Sequence, residues 1–271
     1  CNRSALDLSN PDQIRAKVRE VAPEVIINAG AYTAVDRAES ERDLAMAING
    51  QAPGVLAEEA RRAGSLLIHY STDYVFDGSK DGPWVENDRT NPLSVYGASK
   101  LAGEEAIRAV GGRYLIFRAS WVYAPQGKNF LLTMLRLGRE RDSLNVVDDQ
   151  IGAPTTASEL ARATHEISAG ILQGKFRTES DWAGTYHMTC DGSVSWCGFA
   201  REIFQRSPEL LGGKKPAVNP IKTTEYPTPA KRPLNSVLSN EKLHKVFGVQ
   251  LKSWESALDE VLREIAEAQK S

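Results

Sequence analysis

Long apolar runs are absent. None of the stretches in the 271 residues approaches the ~20 residues that cross a bilayer. The opening CNRSALDLSN has neither the basic nor the apolar region of a secretory leader, so the sequence predicts a cytoplasmic protein with no membrane partner. An excess of one charge sign is lacking as well. With 33 basic and 35 acidic side chains the net charge is -2, and no nucleic-acid partner is expected. Cysteine is scarce: Cys1, Cys190 and Cys197 form an odd set without C-x-x-C spacing, which suits free thiols in a reducing compartment. His69, His165, His187 and His244 are dispersed and form no local ligand motif, so no metal site is read from them. A glycine-rich phosphate turn is missing too. Neither GVLAEEARRAG nor VGGRY has the glycine spacing, after a strand and before a helix, that cradles a dinucleotide.

What is present alternates. EVIINAG, SLLIHYSTD and RYLIFRAS are short, rich in Ile, Leu and Val, and end in small or polar residues, the pattern of buried parallel strands whose C-terminal ends carry a site. Helical segments fill the gaps. SNPDQIRAKVREV has Asn10 as N-cap, Pro11 at the first helical position and Gln13 placed to complete a capping box. SERDLAMAING and GVLAEEARRAG follow, with Gly64 as a C-terminal stop. Strands alternating with helices predict an α/β fold, a Rossmann-like doubly wound parallel sheet. Beyond Trp121 the texture changes. Helices are expected around NFLLTMLRLGRE, through ASELARATHEI, and in SNEKLHKVFG and SWESALDEVLREIAEAQK, with strands at LNVVDDQ and GTYHMTC. The Pro-, Lys- and Thr-rich run from Gly212 to Pro233 suggests a smaller, loop-rich lobe. The expected division is residues 1–125 with about 151–190 for a nucleotide cofactor, and about 126–150 with 191–271 mainly for a substrate.

One stretch, SVYGASKLAGE, sets a tyrosine four residues before a lysine. On a helix these share a face, so Tyr96 and Lys100 can present phenol and ammonium to one small volume. A free phenol has a pKa of roughly 10, and a nearby cation favours its ionised form. Taken alone, the pair reads as a solvated Tyr and Lys. Upstream, YSTD puts Ser71, Thr72 and Asp73 at a strand's C-terminal end, where open α/β sheets bind ligands. Thr72 by itself reads equally as a strand-end residue satisfying local backbone.

A hydroxyl residue at a strand end followed by Tyr-x-x-x-Lys resembles the short-chain dehydrogenase/reductase superfamily. The order NAGAYTAVDRAE, STDYVFDG, NPLSVYGASKLAGE, FRASWVYAPQGKNF, DDQIGAPT and YPTPAKRPLNS is similar to its extended, sugar-nucleotide-modifying branch over most of the chain. The resemblance implies reduction of the C4 ketone of dTDP-4-dehydro-L-rhamnose by NADPH or NADH. It gives Tyr96 the role of proton donor, Lys100 that of lowering the Tyr96 pKa and holding the nicotinamide ribose, and Thr72 that of orienting the ketone. Thr72, Asp73 and Trp121 fall where the family contacts the sugar. Ala31, Tyr32 and Thr33, with Val35 nearby, would pass along the cofactor, and Asp7 and Leu8 would meet its adenine. Arg232 is a candidate for the nucleotide part of the dTDP-sugar. Outside the resemblance, Trp121 reads as a core tryptophan, Asp7 as a loop carboxylate near a helix N-terminus, and Arg232 as a solvated loop residue. The family also implies a monomer or homodimer, with magnesium possible at a dimer contact whose ligands the sequence does not mark.

The departure from the family is at the start, where its first strand and glycine-rich loop are missing. The chain therefore reads as a fragment of a larger reductase, expected to fold poorly and to bind cofactor weakly. Two other functions stay open: a sugar-nucleotide 4-epimerase or dehydratase of the same branch, and a non-catalytic regulatory subunit resembling the methionine adenosyltransferase beta subunit. Dehydratases carry an acid pair after the threonine, whereas Asp73 is followed by Tyr74.

Overall fold

The structure, a computed structural model, describes residues 5–176 and 178–269. Cys1 lies outside the described residues; Cys190 and Cys197 are buried free thiols. The chain enters helix α1 (Pro11–Val21), where the Asn10 side chain accepts from the backbone N–H groups of Asp12 and Gln13. Gln13 does not close the capping box. Its side chain accepts instead from the Asp7 N–H at 3.2 Å, since the Asn10 N–H, which a capping box would use, already donates to the Asp7 carbonyl oxygen at 3.0 Å.

Strand β1 (Val25–Asn28) leads to Arg42–Met46, a π-helical turn at Ala47–Gln51, and helix α2 (Ala52–Ala63), which Gly64 ends at φ 71°. The two expected helices are thus continuous. Pro53 lacks the N–H that would bond Asn49, and its ring crowds the turn before it; widening that turn to a π-helix accommodates both. Strand β2 (Leu66–Thr72), helix α3 (Val95–Val110), strand β3 (Tyr114–Ala119), helix α4 (Phe130–Glu140), strand β4 (Ser143–Val147), helix α5 (Ala157–Leu172) and strand β5 (Gly184–His187) follow. Helix α6 (Trp196–Arg206), strand β6 (Ala217–Ile221) and helix α7 (Trp254–Ala268) complete the longer elements.

Strands pair in the order β1-β2-β3-β5, all parallel, with Asn28 opposite His69 and Thr72 opposite Ala119. Burial explains their near-continuous apolar sequences: Leu66, Leu67, Ile68, Leu115, Ile116 and Phe117 are at most 1% exposed. Among the described residues β1 is the outermost strand on its side of this sheet, and Ile27 on it is half exposed. One core cluster joins α1 and α2 to one side of the sheet, through Ile14, Leu56, Leu67 and Ile116. Another joins α5 and Tyr186 to Leu66, Leu115 and Phe117, and takes in Leu243, Val249 and Leu251. A segment expected in the substrate lobe therefore shares its core with the sheet. A third cluster holds α4, α6 and α7 together around Phe199 and Trp254. Within the Pro-rich run, β6 pairs with β4 in parallel, a strand hidden in the sequence by Pro220, which a two-stranded edge tolerates.

Candidate functional site

Thr72 closes β2 and caps the 3-10 turn Asp73–Val75, its hydroxyl accepting from the Tyr74 N–H at 3.2 Å. The same hydroxyl donates to Asp73 Oδ1 at 3.0 Å. Ser94 starts α3 by accepting from the Gly97 N–H. Gly97 is the reason this helix can sit on that turn: a Cβ there would stand 2.2 Å from the Tyr74 carbonyl oxygen. Gly103, six residues on, makes an equally close approach to the Asn49 carbonyl oxygen, at 2.1 Å for the same added atom. The two glycines of SVYGASKLAGE thus set the helix's depth, and its polar residues fill the contact. Ser99 donates to the Tyr96 carbonyl oxygen and accepts from Asn49. Glu104, fully buried, accepts from Arg118, Ser71 and Arg108.

The ring of Tyr96 keeps partial exposure and meets Tyr74 edge-on at 5.5 Å. Its hydroxyl is enclosed, and burial pushes its pKa up to about 12, with the Thr72 hydroxyl acting the other way. Lys100 is 2% exposed; its ammonium donates to the Tyr70 carbonyl oxygen at 2.5 Å and faces His69 Nε2 at 3.3 Å. Burial brings Lys100 down to about 8. The expectation was a Tyr96 pKa lowered by Lys100; in the free site the net shift is upward. Loss of water dominates, and the lysine's donors are turned to Tyr70 and His69. Asp73 is buried beside Thr72 with Oδ2 lacking a hydrogen-bond partner among the described residues, and burial raises its carboxyl to about 6.

Trp121 emerges two residues beyond Ala119, from the same end of the sheet as Thr72. Its backbone is left-handed, φ 48°, an uncommon conformation for a bulky residue. The indole is stacked on Trp196 at 3.5 Å and 8°, and Gly152 backs it so closely that a Cβ would come within 2.5 Å of the ring.

Asp7, Leu8, Ala31, Tyr32 and Thr33 do come together, lining a groove of about 700 Å³ along β1. Asn49 ties this groove to α3. It accepts from the Tyr32 N–H, donates to the Tyr32 carbonyl oxygen and donates to Ser99. Arg232 is part-buried, not a freely solvated loop residue: it makes two bonds to the Asp36 carboxylate, at 3.2 and 2.8 Å. Asn28, Asn49, His69 and Glu104 escaped the sequence reading. For His69 the signal was a lone ring in an apolar strand; for Asn49 there was none, since its partners lie 17 and 50 residues away. Among the described residues no group of three or more His, Cys, Asp or Glu side chains converges as a metal site, and no helix is long and apolar enough to cross a membrane.

Residues 1–267 match the family model described as the RmlD substrate binding domain. A dTDP-4-dehydrorhamnose reductase of Burkholderia thailandensis is 46% identical over 97% of this chain and 89% of its own length. That of Escherichia coli K12 is 44% identical over 96% and 85%. Among solved structures, a dTDP-4-dehydrorhamnose reductase from Clostridium acetobutylicum superposes with a TM-score of 0.89 at 39% identity, covering 98% of this chain and 89% of that one. One from Bacillus anthracis, in complex with NADP, gives 0.85 at 37%, covering 97% and 89%.

Proposed function

The chain belongs to the dTDP-4-dehydrorhamnose reductase family, and from that premise we propose that Tyr96 donates the proton when the C4 ketone of dTDP-4-dehydro-L-rhamnose is reduced to dTDP-L-rhamnose. The reaction is an NAD(P)H-dependent reduction of a sugar nucleotide. The bound nicotinamide supplies the two-electron reduction of the carbonyl carbon. The groove along β1 suits the adenosine side of such a cofactor, with apolar walls at Leu8, Ala31 and Ile48 and polar groups at Asp7, Tyr32 and Thr33. Lys100 would hold its nicotinamide end.

The observation that carries the role of Tyr96 is its enclosed hydroxyl, on which the Thr72 hydroxyl at the end of β2 acts as a hydrogen-bonding neighbour. At neutral pH a phenol with a pKa near 12 keeps its proton, as a donor must. The Thr72 hydroxyl has one hydrogen and rotates freely. Swung away from Asp73, it can donate to the ketone oxygen and orient it toward Tyr96. Once the proton has moved, Tyr96 becomes a phenolate, and the Lys100 ammonium one helical turn away lowers its energy. Asp73 and Trp121 would border the sugar, and Arg232 would reach the diphosphate by exchanging Asp36 for it.

Replacing Tyr96 by Phe removes the acid and keeps the ring. In an assay of NADPH consumption with the keto-sugar nucleotide, kcat is expected to fall by about 10²–10⁴, with cofactor affinity within a few-fold of wild type. An unchanged kcat overturns the assignment.

A further inference from the structure

Behind Lys100 stands a polar pair that the proposed reaction does not use. His69 is 1% exposed and Asn28 5%. They are direct cross-strand partners in the β1–β2 register, so the sheet itself sets their spacing. His69 Nε2 faces the Lys100 ammonium at 3.3 Å, and Nδ1 lies 2.9 Å from the Asn28 amide nitrogen. Two polar side chains buried inside an apolar strand pair cost stability unless their hydrogen bonds are made.

The protonation pattern follows from the partners. Burial, reinforced by the neighbouring ammonium, holds the His69 pKa well below its usual value, so the ring is neutral with one donor and one acceptor nitrogen. An ammonium has donors only. Nε2 is therefore the acceptor, and Nδ1 carries the hydrogen. That hydrogen needs an acceptor in turn, and a flip of the Asn28 amide, whose two ends have the same shape, brings its oxygen to Nδ1. Other groups around Lys100 are already committed. On its own helix, Glu104 acts on it electrostatically but is bonded to Arg118, Ser71 and Arg108. On the turn after β2, Asp73 and Tyr74 lie by Tyr96. From the π-helical turn comes Asn49, which does not titrate and bonds Ser99.

We infer that His69, oriented by Asn28, is a positioning residue for Lys100: it accepts a hydrogen bond from the ammonium and keeps that side chain charged and fixed one helical turn from Tyr96. The inference rests on the roles proposed above for Tyr96 and Lys100. A hydrogen bond to the charged form of a group favours that form. Removing the acceptor leaves the ammonium with the Tyr70 carbonyl oxygen and the more distant Glu104 charge to offset burial, so it loses its proton at lower pH.

The test compares His69→Leu, which removes the acceptor, with His69→Gln, which restores an amide oxygen. Two readouts are taken: the pH titration of the Lys100 ¹³Cε resonance without cofactor, and the alkaline limb of the kcat–pH profile. His69→Leu is expected to move both down by about one pH unit, a tenfold change in the ionisation constant, while His69→Gln stays within a few tenths of wild type. Equal titrations in the two variants, or wild-type behaviour of His69→Leu, overturn the inference. Should His69→Leu fail to fold, Asn28→Leu removes the orienting partner: a smaller downward shift supports the inference and no shift overturns it. If the wild type turns over without depending on Tyr96, the proposed reaction roles fail, and the resonance titration still decides the place of His69.

Discussion

Tyr96 shows how one side chain's chemistry depends on what surrounds its last atom. Its ring is partly in solvent, yet its hydroxyl is enclosed and its pKa is pushed up to about 12. Spacing alone suggested a lowered value, because it names the nearest cation and not the water removed. Trp121 makes a second point at this scale. A tryptophan in the left-handed region is held there by Trp196 on one face and Gly152 behind it. Trp196→Ala removes that stack. The exciton-coupled signal of two parallel indoles in the far-ultraviolet circular dichroism spectrum is expected to vanish, and KM for the sugar nucleotide to rise more than kcat falls. An unchanged KM would show that the stack does not shape the substrate side.

The element that decides the site is α3, and its depth is a matter of two missing Cβ atoms. Gly97 and Gly103 let the helix lie against the Tyr74 and Asn49 carbonyl oxygens at distances that any side chain would forbid. Gly97→Ala and Gly103→Ala are each expected to destabilise the protein by about 1–3 kcal/mol, the usual cost of overpacking, read as a lower midpoint in urea. Gly97→Ala should also lower kcat, since it pushes Tyr96 away from Thr72. Gly64→Ala serves as a control: it has free space around it but φ 71°, so it should cost stability alone.

Across the whole molecule, buried histidines link the fold to pH. His187 is fully buried, and burial with the nearby Arg118 brings its pKa down to about 3; His69 is shifted the same way. Below about pH 6.5 the unfolded chain takes up protons at both rings and the native protein does not, so stability falls as pH falls. Asp73, raised to about 6, binds its proton earlier in the native state and offsets part of this. A net loss of stability is expected between pH 7.5 and pH 5, measurable by urea unfolding at the two values. A midpoint that did not fall would mean that the rings are hydrated. The alternation of apolar runs and helical segments was legible in the sequence because periodicity and capping are local, and the order of the motifs carried the family. Tyr96, Lys100 and Thr72 could be chosen because their spacing and strand-end position are local too. The tertiary structure alone decided the rest. It set the protonation of Tyr96, the bond of Arg232 to Asp36 instead of solvent, and the support of Lys100 by His69 and Asn28. Burial and cross-strand register are properties of distant segments brought together, and no window of sequence contains them.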